Sequence, residues 1–184
     1  MTHLDLDGSD GGGQLLRTAL TLACLSERAF EMTGIRADRP TSGVRPQHLA
    51  CVEAAATLTE ATVEGDAVGS ETLTFRPTRP PKGDTSVDVG TAGSVALVFD
   101  TVLPLAVGLD APVSVTATGG TDVKWAPTFD YLRRVKLPLL ARYGLAAAVD
   151  LHRRGFYPVG GGEATLHVAP LVAPAARTRV QGVR

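Results

Sequence analysis

At 184 residues, 44% of them hydrophobic and 20% charged, the chain is long enough for one domain with a substantial core or for two tightly fused repeats, and too short for two ordinary domains. A formal charge of −1 and a pI near 6.4 exclude a generally basic protein that coats nucleic acid, so any phosphate binding must come from local arginines, fifteen of the eighteen basic residues. The N-terminus lacks a basic stretch followed by an apolar one, and no apolar run approaches the roughly 18 residues of a membrane span, which points to a cytoplasmic protein without membrane contact.

In chain order, alternation and helical spacing predict a strand over His3 to Leu6, a glycine turn, a helix over Gln14 to Leu25, and a strand over Phe30 to Ile35. A loop rich in arginine follows, then a helix over Gln47 to Glu60 with Pro46 placed as its first residue, and strands near Ala61 to Gly65 and Thr72 to Arg76. The second half offers the same order: a strand over Ser86 to Val89, the turn Gly90 to Gly93, a helix over Val95 to Val107, a strand over Val113 to Ala117, and a G-G-T-D loop. A helix over Thr128 to Tyr143 and strands over Ala147 to Arg153 and Glu163 to Val168 complete it. Landmarks such as Gly13 with Gly93 and Gly34 with Gly119 recur about 80 to 90 residues apart. The reading is an α/β (α+β) protein of tandem β-α-β-α-β-β repeats, each a small mixed sheet with two helices on one face, the units packing through their helices. Residues 1–80 form the first repeat and 81–170 the second, with 171–184 beginning a third repeat or an inserted domain.

Within the helices, Leu15, Ala19 and Leu22 join Leu16, Leu20 and Ala23 as one broad apolar face, and Leu132, Val135 and Leu139 do the same later. Cys24 and Cys51 fall inside apolar helical patterns with no CxxC or Cys/His cluster beside them, which marks them as small buried packing residues in a reducing compartment.

Four places can carry chemistry. In D-G-S-D-G-G-G-Q-L-L-R, Gly11, Gly12 and Gly13 let the backbone take conformations closed to other residues and aim N–H groups at one ligand. Asp10, Gln14 and Arg17 line that turn. Arg17, one turn into a helix, sits near the positive end of the helix dipole and calls for an anion; the competing reading is a glycine-rich connection with an exposed arginine beside it. The second place holds Arg36, Arg39 and Arg45 between Pro40 and Pro46, followed by Gln47 and His48, guanidinium forks suited to a phosphodiester or terminal phosphate. A solvated loop partly neutralised by Asp38 is its alternative, and His48 read alone is as consistent with a surface or capping role as with catalysis. Third, the helix after G-T-A-G-S is apolar nearly all round except Asp100 and Thr101, so Asp100 needs a ligand, a metal or a structural ion-pair partner. Fourth, G-G-T-D-V-K-W-A-P offers Asp122, Lys124, Trp125 and Pro127, either to hold a base or ribose or merely to cap the core with tryptophan. Neither a P-loop, nor a Rossmann fingerprint, nor a GxSxG nucleophile elbow is present.

In this order, G-G-G-Q-L-L-R, I-R-A-D-R with P-Q-H-L, G-T-A-G-S, T-V-L-P, G-G-T-D, A-P and R-R-G-F-Y-P-V-G-G-G closely resemble the RNA 3′-terminal phosphate cyclases, over about Leu6 to Val168. That family builds its main domain from three repeats resembling the C-terminal domain of bacterial translation initiation factor three, plus a small inserted domain. The resemblance implies an ATP-dependent reaction in which a histidine takes the adenylyl group of ATP, passes it to an RNA 3′-phosphate, and the neighbouring 2′-hydroxyl displaces AMP to close a 2′,3′-cyclic phosphate, with Mg or Mn screening the phosphates.

Carried over by motif, the resemblance implies ATP or adenylate contacts at Asp10, Gln14, Arg17, Asp100 and Pro127, with Asp10 also the candidate metal contact. RNA-phosphate contacts fall on Arg36, Arg39, Gln47 and His48. Asp10 stands where the family commonly has Glu, Asp100 where many relatives have a glutamine, and the opening loop is shorter than the usual form. None of His3, His48, His152 or His167 occupies the nucleophile's motif, so the resemblance implies a nucleophilic histidine beyond Arg184 and a piece that does not adenylylate itself. A non-catalytic cyclase-like protein for RNA binding or ribosome assembly, and an enolpyruvyl transferase that shares only the fold, remain open alternatives. The oligomeric state is open as well.

Overall fold

The computed structural model describes residues 3–171. Two four-stranded mixed sheets share one topology. In the first, strands β1 (Leu4–Asp7), β2 (Phe30–Thr33), β3 (Thr62–Glu64) and β4 (Leu73–Arg76) lie in the order β1-β2-β4-β3. In the second, β5 (Asp84–Asp88), β6 (Val113–Gly119), β7 (Ala147–Arg153) and β8 (Gly162–Val168) repeat it as β5-β6-β8-β7. Each pairs its first two strands in parallel across a helix and the rest antiparallel, as a β-α-β crossover followed by hairpin-type returns requires.

Helices α1 (Gly13–Ser26) and α2 (Pro46–Thr59) serve the first sheet and α3 (Val95–Val102) opens the second unit. These three pack on one another and, with the inner faces of both sheets, enclose a single apolar core. Strand β6 reads buried and half-buried in strict alternation, the mark of a strand with one face on a core. Phe30 and Phe75, paired across β2 and β4, stack with ring centroids 5.9 Å apart. The units also join through Thr21 Oγ1, which donates to the Arg17 carbonyl four residues back and, at 2.8 Å, to the carbonyl of Thr101.

Three expectations change on folding. The buried face of α1 is Leu16, Ala19, Leu20, Ala23 and Cys24, while Leu15 and Leu22 are exposed; Val135 and Leu139 are exposed likewise. The long helix foreseen from Val95 stops at Val102 and tightens into a 3₁₀ segment, Leu103–Gly108, because Pro104 has no N–H to give to Asp100. The helix foreseen over Thr128 to Tyr143 is three pieces end to end: α4 (Phe129–Tyr131), a π-helical segment (Leu132–Lys136) and α5 (Leu137–Ala141). Pro138 removes the donor that would bond the Arg134 carbonyl, and the widened turn makes room for its ring. Of residues 171–184, only Leu171 is among those described; its N–H donates to the Ala106 carbonyl at 2.8 Å.

Candidate functional site

The first glycine turn joins β1 to α1 without left-handed backbone at Gly11, Gly12 or Gly13, so the expected conformational role gives way to one of clearance. A side chain on Gly13 would run into the His48 imidazole, and one on Gly12 would meet an Arg39 guanidinium nitrogen at 3.2 Å. Glycine is required at Gly13, where the His48 ring lies directly on the turn, while at Gly12 the flexible end of Arg39 leaves a tight but yielding contact. The loop and the turn thereby make one surface, with α1 starting at its edge.

His48 sits one turn into α2, only 7% exposed. Its Nδ1 accepts the Arg45 backbone N–H at 3.1 Å, the capping geometry of a helix N-terminus, which leaves the neutral ring its proton on the Nε2 edge that faces Gly13. Burial, followed by the positive charges of Arg36, Arg17 and Arg45, pushes its pKa down to about 4. Arg36 is itself lowered by burial and then by Arg45 and Arg39. Four guanidinium groups therefore share one neighbourhood, and among the described residues none of them forms an ion pair, with Asp38 or any other carboxylate. Arg45, which belongs to the loop by sequence but not to the phosphate contacts implied by motif, joins the cluster because its backbone also fixes His48. Arg36 is held at φ 58, a left-handed conformation that costs an arginine about 1 kcal/mol and sets where its side chain emerges.

Arg17 is buried at 8% exposure, not a surface arginine. One guanidinium nitrogen donates to Gln14 Oε1 at 2.7 Å, and Gln14 in turn donates to Thr18, but Arg17 Nε has no partner. Gln47, at the start of α2, accepts the Ser94 backbone N–H at 3.2 Å and thereby ties the arginine loop to the second glycine turn. Its Nε2 and the Ser94 hydroxyl are also buried without partners. Buried donors left unpaired cost about 1–3 kcal/mol each. Arg79 carries buried nitrogens without a hydrogen bond as well, but Arg17 is the one whose charge acts on His48 together with Arg36 and Arg45, where an anionic ligand would satisfy it.

A cleft of about 240 Å³ opens between α1 and α3, with Gln14, Arg17, Thr21, Asp100 and Pro104 among its walls. Asp100 joins Arg17 here, and its carboxylate is held at 2.6 Å by Lys136 from the π-helical segment, so the ion-pair partner foreseen for it exists while the residue still faces the cleft. Asp10 is exposed on the glycine turn and stands alone: among the described residues no group of three or more His, Cys, Asp or Glu can hold a metal ion. Pro127 is half-buried in the loop after β6 and is not part of that cleft's lining. Trp125, in the same loop, is 98% exposed and caps no core. His3, just before β1, contacts Asp5, while His152 on β7 and His167 on β8 bond to Thr165 and Asp150.

Fold and site together define a tandem-repeat α/β protein with a cationic cluster on its first glycine turn and, reached by Arg17, a cleft between its two units. A family model described as RNA 3′-terminal phosphate cyclase matches residues 9–180, and the chain belongs to that family. It is 52% identical over 176 residues to an RNA 3′-terminal phosphate cyclase of Halobacterium salinarum, covering 90% of this chain and 52% of that protein. To proteins of the same description from Pyrobaculum aerophilum and Archaeoglobus fulgidus it is 45% and 44% identical, over 90% and 91% of this chain and 48% and 52% of theirs. The chain spans about half the length of the curated relatives it matches. No helix among the described residues is long and apolar enough to cross a membrane.

Proposed function

We propose that this chain supplies the nucleotide and 3′-phosphate binding half of an ATP-dependent reaction that converts an RNA 3′-terminal phosphate to a 2′,3′-cyclic phosphate through adenylylated intermediates. The observation that carries the reading is the group of Arg17, Arg36, Arg39 and Arg45 around His48 and the first glycine turn, none of them in an ion pair among the described residues and Arg17 with a buried, unpaired Nε. Arg17, with Gln14 fixing its fork, takes a phosphate of ATP; Arg36 and Arg39 take the RNA phosphate. The Nε2–H of neutral His48 donates to whichever phosphoryl oxygen reaches Gly13, and a ring with a pKa near 4 keeps that donor role across ordinary pH.

Asp10, one exposed carboxylate beside the turn, suits a divalent ion that brings most of its ligands from water and substrate phosphates. Such an ion, when bound, offsets charge on the polyphosphate. Asp100 faces the nucleotide with its charge offset by Lys136, which answers the repulsion a carboxylate would otherwise exert there. Pro127 rests against the adenine.

The 184-residue chain is expected to bind ATP and 3′-phosphorylated RNA without forming a covalent adenylate, since none of its four histidines is placed as the nucleophile. Calorimetric titration with each ligand, with incubation alongside in ATP labelled at the α-phosphate, tests this. Label retained on denatured protein, or no affinity for either ligand, overturns the proposal. RNA binding that is indifferent to ATP instead supports a non-catalytic, cyclase-like role.

A further inference from the structure

The hub of the second unit is the turn at Thr91 and Ala92, and two loops close on it from outside. A methyl on Gly120 would meet the Ala92 carbonyl at 2.6 Å, and one on Gly160 would meet the Thr91 carbonyl at 2.6 Å, so both loops lie in backbone contact with that turn. They are joined to each other by an isolated bridge between Asp122 and Phe156, by the Asp122 N–H donating to the Gly155 carbonyl at 3.2 Å, and by Arg154, which grips Asp122 at 2.8 Å and Asp130 at 2.7 Å. Beyond this anchorage the loops expose their largest apolar side chains: Trp125 at 98%, Tyr157 at 73% and Val159 at 81%, with Phe156 at 55%. Lys124 adjoins Trp125 and, like Arg153, is in no ion pair among the described residues; Arg153 is committed through Nε to the Gly161 carbonyl and lies opposite Glu163 across β7 and β8.

Aromatic faces held out on braced loops and flanked by unpaired cations are poor partners for water and good ones for unpaired bases, whose rings stack while the cations meet the backbone. The turn that anchors this surface also reaches the cationic site. The same Thr91–Ala92 turn runs into Gly93 and Ser94, which lie against Gln47 at the head of the arginine loop. We infer that the Trp125–Tyr157 surface is a stacking platform for the single-stranded nucleotides that precede the RNA 3′ end. It rests on the reading that the terminal phosphate sits at Arg36, Arg39 and His48. The platform gives affinity that grows with strand length and tolerates sequence, because every base offers a ring face.

Trp125 is the chain's single tryptophan, so its emission reports on the platform alone. The full chain is titrated with adenosine 3′-monophosphate and with a 3′-phosphorylated ten-nucleotide oligo(A), following emission and calorimetric affinity. The ten-mer is expected to quench Trp125 and bind at least tenfold more tightly than the mononucleotide, and Tyr157→Ala to lower ten-mer affinity about tenfold without changing that of the mononucleotide. Trp125→Ala is expected to do the same by calorimetry, with an unchanged melting temperature because the side chain is solvent-exposed. Mononucleotide binding with no length gain, or aromatic variants with unaltered ten-mer affinity, overturns the platform. Absence of mononucleotide binding with Trp125 still quenched by the ten-mer overturns the phosphate-site reading and keeps the platform. A concentration-dependent dimer abolished by Trp125→Ala shows the face to be covered by a second copy and overturns it.

Discussion

The connections that leave the second strand of each unit, residues 34–45 and residues 119–128, occupy the same place in the same topology and carry different chemistry. The first holds three arginines with no carboxylate partner among the described residues; the second holds Asp122 locked to Arg154, one lysine and an exposed tryptophan. The helices beside them keep a glycine and a threonine in register, Gly13 with Gly93 and Thr21 with Thr101, and differ at most positions between. Thr21 and Thr101 each donate to the carbonyl four residues back, which aligns Arg17 with Leu97: one a buried, half-satisfied guanidinium, the other an apolar side chain. A duplicated scaffold thus keeps its hydrogen-bond skeleton and changes side chains at positions that face the junction. On the proposed function, binding belongs to the positions where the units differ.

The sharpest way to break the comparison is to give the first unit the second unit's residue. Arg17→Leu is expected to weaken ATP binding about 100-fold, the cost of removing a buried charged donor from an anion. Unliganded stability should stay level or rise by about 1 kcal/mol, because an unpaired buried nitrogen goes with it. Titration calorimetry and urea melts on the same samples check both; a large loss of stability would make Arg17 a packing residue.

Acid should find the same asymmetry. His48 is held near pKa 4 in the fold and titrates near 6.5 when unfolded, so between those values the unfolded chain binds the extra proton. Stability is complete above about pH 6.5 and falls by up to about 3 kcal/mol as pH drops toward 4. His48→Gln is expected to flatten that part of the profile. Saturating phosphate should flatten it too, since an anion raises the histidine's folded pKa; chemical denaturation at stepped pH reads both effects.

The two glycine turns should then part company. Gly13→Ala drives a methyl into the His48 ring and is expected to cost about 2 kcal/mol, together with anion affinity. Gly90→Ala meets open space and pays only for its left-handed backbone at φ 68, about 1 kcal/mol, with anion affinity intact. Smaller again is the Asp100–Lys136 pair, which is partly solvated. A double-mutant cycle with Asp100→Asn and Lys136→Met should give a coupling of about 1 kcal/mol or less, shrinking in salt. An effect of similar size tests the seam between the units. Thr21→Val loses the bond to Thr101 and about 1 kcal/mol, whereas Thr101→Val loses only its own local bond and less.

Much of this molecule is legible along the chain because its punctuation is local. Glycine turns, Pro46 at a helix start and period-two alternation in β6 act over a few residues, and the order of strands and helices follows from them. Where the reading slipped, a proline competed with the helical pattern, as at Pro104 and Pro138. Elsewhere an apolar stripe proved wider than the surface available to cover it, as at Leu22 and Val135. Asp100 posed a question that the sequence could frame but not answer, since its partner Lys136 lies on a separate element.

Composition and motif order alone determined the repeat, the family resemblance and the presence of a cationic loop, all properties of residue type and spacing. Only the tertiary structure decided that Gly13 is glycine to admit His48, that Arg17 is buried with a donor to spare, and that Trp125 faces solvent. Each of those depends on distances between segments far apart in the chain, and burial and electrostatic fields are set by such distances, which no local pattern encodes.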